Sequence, residues 1–226
     1  ECDLATDLAV PFTLRVIMSI FGVPQSDEHT MLELTQGLFG AADPEYLGDF
    51  SDPLASVQNS IRKFESYFDE LTASRQAHPT DDLATVIANG MVGDEPMGER
   101  ERLWYYIIVA TAGHDTTSFA FSGGMEQLLR HPDQLQALRD DPTLSANAAE
   151  EMIRWTSPVR SFFRWTQEDT QIGGVTIPEG DVVLTSYPSA NRDEDVFERA
   201  DEFDITRPDA NKLLSFGLGM HYCLGS

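Results

Sequence analysis

Cysteine is almost absent from this sequence: Cys2 and Cys223 stand at opposite ends of the chain, so no disulfide framework organises the fold. Basic residues are scarce as well. Against 38 Asp and Glu there are only 15 Lys and Arg, a formal charge of −23. That balance excludes the clustered cations that phosphate backbones and anionic lipid demand, so no nucleic acid and no membrane is expected as a partner. No unbroken apolar run reaches the ~18 residues of a spanning helix. The opening Glu1-Cys2-Asp3-Leu4 is acidic where an export signal is basic, which points to a cytoplasmic protein. Internal repeats, a Gly-rich phosphate loop, a Ser-His-Asp order and low-complexity tracts are all missing. His29, His78 and His131 lack the spacing of a metal site.

What is there suffices for one sizeable core: 226 residues, 41% hydrophobic and 10% aromatic. Leu4, Leu8, Phe12, Ile17, Ile20 and Phe21 recur at helical spacing, interrupted by Pro11 and closed by Gly22 and Pro24, which predicts a helix pair or a kinked helix. Ser26 or Asp27 can cap a second helix running to about Gly40, and residues 41–52, with Pro44 and Gly48, read as a loop. A long amphipathic helix is expected over 54–77, from Leu54, Val57, Ile61, Phe64, Phe68 and Leu71. Thr80-Asp81-Asp82 reads as the start of a short helix that Gly90 and Gly93 end. From Met97 to about Arg130 no proline interrupts, which predicts one helix long enough to cross a domain. Short helices over 133–139 and 146–156 follow, then strand-like segments at 170–172, 175–177 and 182–184 around a Gly173-Gly174 turn. The fold class expected is mainly α with a small antiparallel β region.

Three stretches break ordinary helix or loop rules. Ala112-Gly113-His114-Asp115-Thr116-Thr117 puts glycine, worth about 1 kcal/mol against Ala, and backbone competitors into the middle of the longest helix. Such a local conflict marks a site. Glu151 and Arg154, three apart, can pair on one helix face, a pairing of little consequence where it is exposed. Near the end, Phe216-Gly217-Leu218-Gly219-Met220-His221-Tyr222-Cys223-Leu224-Gly225 sets two glycines ahead of a cysteine, so the backbone can turn with positive φ and approach a flat partner. The thiolate of such a loop is a metal ligand or a nucleophile.

Taken with its flanks, this last stretch resembles the haem-thiolate loop of the cytochrome P450 family. The resemblance extends to Ala112–Thr117, to Glu151-x-x-Arg154 with Arg207, and to Arg164. It implies a partial cytochrome P450 fold with 1–96 as lid and flanking helices, 97–130 as the central helix, and 131–226 as proximal helices, small sheet, meander and haem loop. It implies haem b as cofactor, held by Cys223 as the metal ligand and by Phe216, Gly217, Gly225, Arg164 and His221, the last two facing the propionates. A thiolate axial ligand favours O–O cleavage. Asp115 and Thr116 would be the catalytic pair that moves protons in O2 activation, next to a widened helix turn, with His114 structural. Ile108, Ala112, Val159, Ser161 and Phe162 would line the substrate pocket. Glu151, Arg154 and Arg207 would form a structural network. The implied partners are O2, a small apolar substrate such as a terpene or terpene alcohol, and a ferredoxin-type donor with its NAD(P)H-dependent reductase. A haem-thiolate enzyme using peroxide and a non-catalytic haem-binding protein are the rivals. Family members are nearly twice as long, so activity is expected of a full-length protein rather than of these 226 residues alone.

Overall fold

Asp3 opens the first helix by accepting the amides of Ala5 and Thr6 on Oδ1, at 2.9 and 3.0 Å, two of the donors that a helix start leaves orphaned. The computed structural model describes residues 2–39 and 53–226; the loop expected over 41–52 lies outside the described residues. The helix pair or kinked helix expected around Pro11 takes the form of a π-helical stretch, Leu4–Ala9, that passes directly into α1, Val10–Phe21; Pro11 stands just after the junction, where the Val10 N–H bonds Ala5 O and the proline omits the next helical bond. Gly22, at φ 71°, ends α1. By length and composition the window Leu4–Phe21, mean hydropathy 1.6, is apolar enough to cross a membrane, although it contains Asp7 and Arg15. One of its faces, with Leu14, Ile17, Met18 and Phe21, is buried in the core.

Two compact units divide the chain, residues 1–118 and 119–226, with the boundary inside one helix. The first holds α1, α2 (Glu28–Phe39), α3 (Pro53–Ala77), α4 (Leu83–Ala88), a two-residue hairpin β1–β2 (Met91–Val92, Glu95–Pro96) and the start of α5 (Glu99–Arg130). Its core is aromatic. Phe68 stacks on Tyr106 at 4.5 Å and on Phe64 at 5.9 Å, with Phe21 at 5.7 Å. The buried Tyr106 hydroxyl donates to Ala84 O and accepts from Thr72 Oγ1, so the polar tip of the stack is satisfied.

Asp82 caps α4 through the Thr85 amide at 2.8 Å, takes the Thr80 hydroxyl at 2.7 Å and pairs with Arg75 Nε at 2.7 Å. Arg75 in turn donates to Gly22 O at 2.7 Å, tying the end of α1 to α3 and α4. Burial works to raise the Asp82 pKa, yet the donors from Thr80, Thr85 and Arg75 outweigh it and hold the carboxyl at about 2.

The second unit contains the rest of α5, α6 (Pro132–Asp140), α7 (Ser145–Thr156), four strands and the single turn α8 (Tyr187–Ala190). Leu128, Ala148, Phe203 and Ile205 form its core, with Met125, Leu135, Met152 and Trp155 packed around them. β4 (Thr170–Ile172) and β5 (Val175–Ile177) form a hairpin on Gly173-Gly174, both at positive φ. β6 (Val182–Ser186) pairs antiparallel with β3 (Ser161–Trp165), Phe163 opposite Leu184. β3 did not stand out in the sequence as a separate strand. Its run Phe162-Phe163-Arg164-Trp165 is exposed on both faces and shows no apolar–polar alternation.

Candidate functional site

The cysteine loop is shaped by its own backbone. Phe216 O accepts the Cys223 amide at 2.9 Å, Leu214 O accepts Gly217 N at 2.8 Å, and Tyr222 N bonds Gly219 O at 3.0 Å across the 3-10 turn Gly219–His221. Gly217 and Gly219 both sit at φ 72°. A Cβ on Gly219 would meet nothing within 4 Å, so the glycine answers to backbone conformation rather than to space. The closed loop presents the Cys223 thiol at the surface, free of any disulfide. Around it lie exposed apolar side chains: Leu218 at 73%, Met220 at 98% and Leu224 at 81%. His221 and Gly225 are exposed, while Phe216 and Gly217 are half-buried. Arg164 stands exposed on β3, its guanidinium 5.5 Å above the Phe162 ring and its Nη1 on Phe163 O at 2.9 Å. These residues fit a haem: a soft ligand for iron, an apolar rim for a flat macrocycle, and two hydrogen-bond-donor side chains, Arg164 and His221, for its carboxylates.

Behind the loop the structure brings Glu151, Arg154 and Arg207 together, each at most 1% exposed. Arg154 grips Glu151 with two bonds, Nε–Oε2 at 2.6 Å and Nη2–Oε1 at 2.8 Å. Its remaining donors go to the carbonyls of Asn191, Ala200 and Glu202. Arg207 Nε lies 3.2 Å from Glu151 Oε2, a charge contact off hydrogen-bond alignment, while its Nη atoms donate to Glu198 O, Arg199 O and Glu202 O. Arg199 turns its carbonyl inward at φ 52°. One carboxylate thus serves two buried guanidiniums, backbone carbonyls take most of the remaining donors, and Asp209 Oδ1 lies 3.6 Å from Arg207 Nη1 as a further charge contact.

Asn191 has no counterpart in the sequence reading. It is fully buried and joins this network to the cysteine loop, through Ser157, Ser215 and the Leu214 amide. Asparagine in Ala190-Asn191-Arg192-Asp193 looks like an ordinary turn former, and nothing in the spacing marks it as buried.

In the first unit, α5 has two faces at the unusual sextet. Tyr106, Ala110, Thr111, His114 and Ser118 are buried, while Ile108 and Ala112 are exposed and Asp115 and Thr116 half-exposed. Ile108, Ala112 and Thr116 are spaced by four and share a face. The helix runs as an unbroken α-helix from Glu99 to Arg130, so the widened turn expected here is not formed. Side chains carry the irregularity instead: Thr116 Oγ1 donates to Ala112 O at 2.7 Å and Thr117 Oγ1 to Gly113 O at 3.2 Å. A Cβ on Gly113 would lie 2.9 Å from Ile17 Cδ1, the end of a flexible side chain that could give way. His114 is wholly buried. Its Nδ1 lies 3.0 Å from Asp115 Oδ1 without hydrogen-bond alignment, and Nε2 has no partner among the described residues.

Of the pocket residues expected on the sheet side, Val159 and Ser161 are half-buried and Phe162 is exposed, its ring 6.0 Å from Tyr187. Among the described residues no cluster of three or more His, Cys, Asp or Glu could hold a metal ion, so Cys223 would have to act as a single protein ligand.

The chain is mainly helical with small antiparallel sheets, and a buried Glu–Arg network is tied to its glycine-turned cysteine loop. Residues 142–226 match the cytochrome P450 family model. Cytochrome P450-terp of a Pseudomonas species is 42% identical over 232 residues, covering all of this chain and 54% of its own length. Linalool 8-monooxygenase of Pseudomonas putida is 35% identical, again with all of this chain and 54% of the relative covered. Among solved structures, CYP108D1 from Novosphingobium aromaticivorans superposes with a TM-score of 0.87 at 44% identity, over 100% of this chain and 52% of the other. The chain belongs to the cytochrome P450 family and carries part of its fold. It spans about half the length of the curated relatives it matches.

Proposed function

We propose that this chain is the part of a haem-thiolate monooxygenase that carries the cysteine loop and the central helix. The observation that carries the reading is the Cys223 loop: an exposed thiol, a backbone fixed by the Cys223 N–H to Phe216 O bond, and an apolar rim. Haem b, when bound, would supply the activation of O2 and the insertion of one oxygen atom into a C–H bond of the substrate. Cys223 would hold its iron through sulfur. Arg164 and His221 would donate hydrogen bonds to its carboxylates, which enter a low-dielectric pocket only against donors. Phe216, Gly217 and Gly225 would shape the loop around it.

Thr116 and Asp115 would move protons. The Thr116 hydroxyl gives its own proton to Ala112 O and leaves its lone pairs free to accept one. Asp115 is half-exposed, and so reaches both the helix and water. Ile108 and Ala112, exposed on the Thr116 face of α5, would contact a small apolar substrate, together with Val159, Ser161 and Phe162. A terpene or terpene alcohol is the substrate class, supported by the relative named linalool 8-monooxygenase. Electrons would come from a ferredoxin-type donor and its NAD(P)H-dependent reductase in the cytoplasm. The Asp115–Thr116 pair argues against a peroxide-using enzyme, which has no need to deliver protons to O2.

The test uses the full-length protein, isotopically labelled dioxygen and a panel of monoterpenes. Monooxygenation puts one labelled atom into product and requires NAD(P)H with the electron donors. Turnover with peroxide alone and none with dioxygen would favour the peroxide reading; no product under either condition, with haem bound, would favour a non-catalytic haem protein.

A further inference from the structure

We propose that Asn191 is a positioning residue for the Cys223 loop, a role that rests on Cys223 being the iron ligand. The direction of every hydrogen bond around Asn191 is fixed. Leu214 N–H can only donate, so the atom facing it at 2.8 Å is Oδ1, and Nδ2 therefore faces Ser157 Oγ at 2.9 Å and Ser215 Oγ at 2.8 Å. Both serines spend their own protons on carbonyls at the end of α7, Ser157 on Arg154 O at 2.9 Å and Ser215 on Ile153 O at 3.2 Å. They offer Asn191 lone pairs alone. No other side chain of this size supplies two donors and an acceptor in that arrangement. The Asn191 carbonyl closes the circuit by accepting Arg154 Nη1 at 2.6 Å.

The result is a continuous path from the Glu151–Arg154 pair through Asn191 to Leu214 and Ser215, where the loop begins. One residue further, Phe216 O takes the Cys223 amide. Asn191 is 0% exposed, so these bonds face no competition from water. Loss of the amide frees the N-terminal stem of the loop while leaving its internal bonds intact. The expected consequence is a thiolate that leaves iron more readily.

Gln134 supplies a control, because it performs the same kind of tie at a distance from the loop, Nε2 to Phe203 O at 2.7 Å and Ile205 N to Oε1 at 2.9 Å. In the haem-loaded full-length protein, Asn191→Leu, Ser215→Ala and Gln134→Leu are compared by urea midpoint and by the Soret band of the reduced, CO-bound form. Asn191→Leu and Gln134→Leu should both lower the midpoint. Asn191→Leu should raise several-fold the share of haem absorbing at the blue-shifted position of lost thiolate, Ser215→Ala should raise it less, and Gln134→Leu should leave it at the wild-type value. An unchanged share in Asn191→Leu, or an equal rise in Gln134→Leu, overturns the proposal. If Asn191→Leu does not fold, Ser215→Ala against Gln134→Leu decides on the same terms. A wild type that never shows the red-shifted band, or Cys223→Ala that keeps it, defeats the ligand reading instead.

Discussion

Removing the carboxylate of Glu151 should do more damage than any other single change in the second unit. Glu151 is fully buried and lies within 3.2 Å of two guanidiniums that are themselves at most 1% exposed; its Oε1 also accepts the Asp204 amide at 2.9 Å. Breaking a buried ion pair by deleting one partner costs about 3–5 kcal/mol, because the surviving charge stays desolvated. Here Arg154 loses its carboxylate, Arg207 keeps only Asp209 Oδ1 at 3.6 Å, and one amide loses its acceptor, while six hydrogen bonds to carbonyls soften the loss. The upper end, about 5 kcal/mol, is the expectation for Glu151→Ala. Domain stabilities run at about 5–15 kcal/mol, so the variant should be marginal. Urea denaturation of the full-length protein reads this as a lowered midpoint with an unchanged slope. Adding Arg154→Ala to Glu151→Ala should cost less than the sum of the single changes, since the pair is coupled. A loss under about 1 kcal/mol for Glu151→Ala would refute the view that this carboxylate holds the network.

Asp82→Ala removes a helix cap and strands Arg75, and should cost about 2–4 kcal/mol in the same assay. Because the Asp82 carboxyl is held at about 2 against an ordinary 3.8, its contribution is complete above pH 3.8 and fades as pH falls toward 2; Asp82→Asn should flatten the acid limb of stability in that window and nowhere else. His114→Leu should leave stability unchanged or raise it by about 1 kcal/mol, since two buried ring nitrogens without aligned partners disappear, whereas a clear loss would mean that the imidazole has a partner. Thr116→Val should divert reducing equivalents from product into hydrogen peroxide in the full-length enzyme, measured as product formed per NAD(P)H consumed; unchanged coupling would remove Thr116 from the proton path.

Much of the helical frame was legible because apolar residues at spacings of three and four have one physical cause, the buried stripe of a helix. The residues over 54–77 became α3 at Pro53–Ala77, and the proline-free stretch from Met97 became α5 at Glu99–Arg130. Thr80-Asp81-Asp82 located the cap of α4. Pro11 marked the junction between two helical stretches, but its type was not legible: a π-helical turn ahead of the proline carries the chain into α1. β3 was hidden by its apolar residues falling on both faces. At the site, Glu151, Arg154 and Arg207 were named from the sequence as a network and lie together, whereas the residue that ties them to the cysteine loop was not. Asn191 acts through burial and direction of hydrogen bonding, and a turn-forming tetrapeptide encodes neither visibly.

The central claim is sulfur ligation of haem iron by Cys223, and the electronic spectrum of the reduced, CO-bound full-length protein tests it most directly. The wild type should show the red-shifted Soret band of a thiolate-ligated haem, and Cys223→Ala should lose that band while haem remains bound. A red-shifted band that survives the substitution, or a wild type whose spectrum is that of histidine or water ligation, would contradict the account.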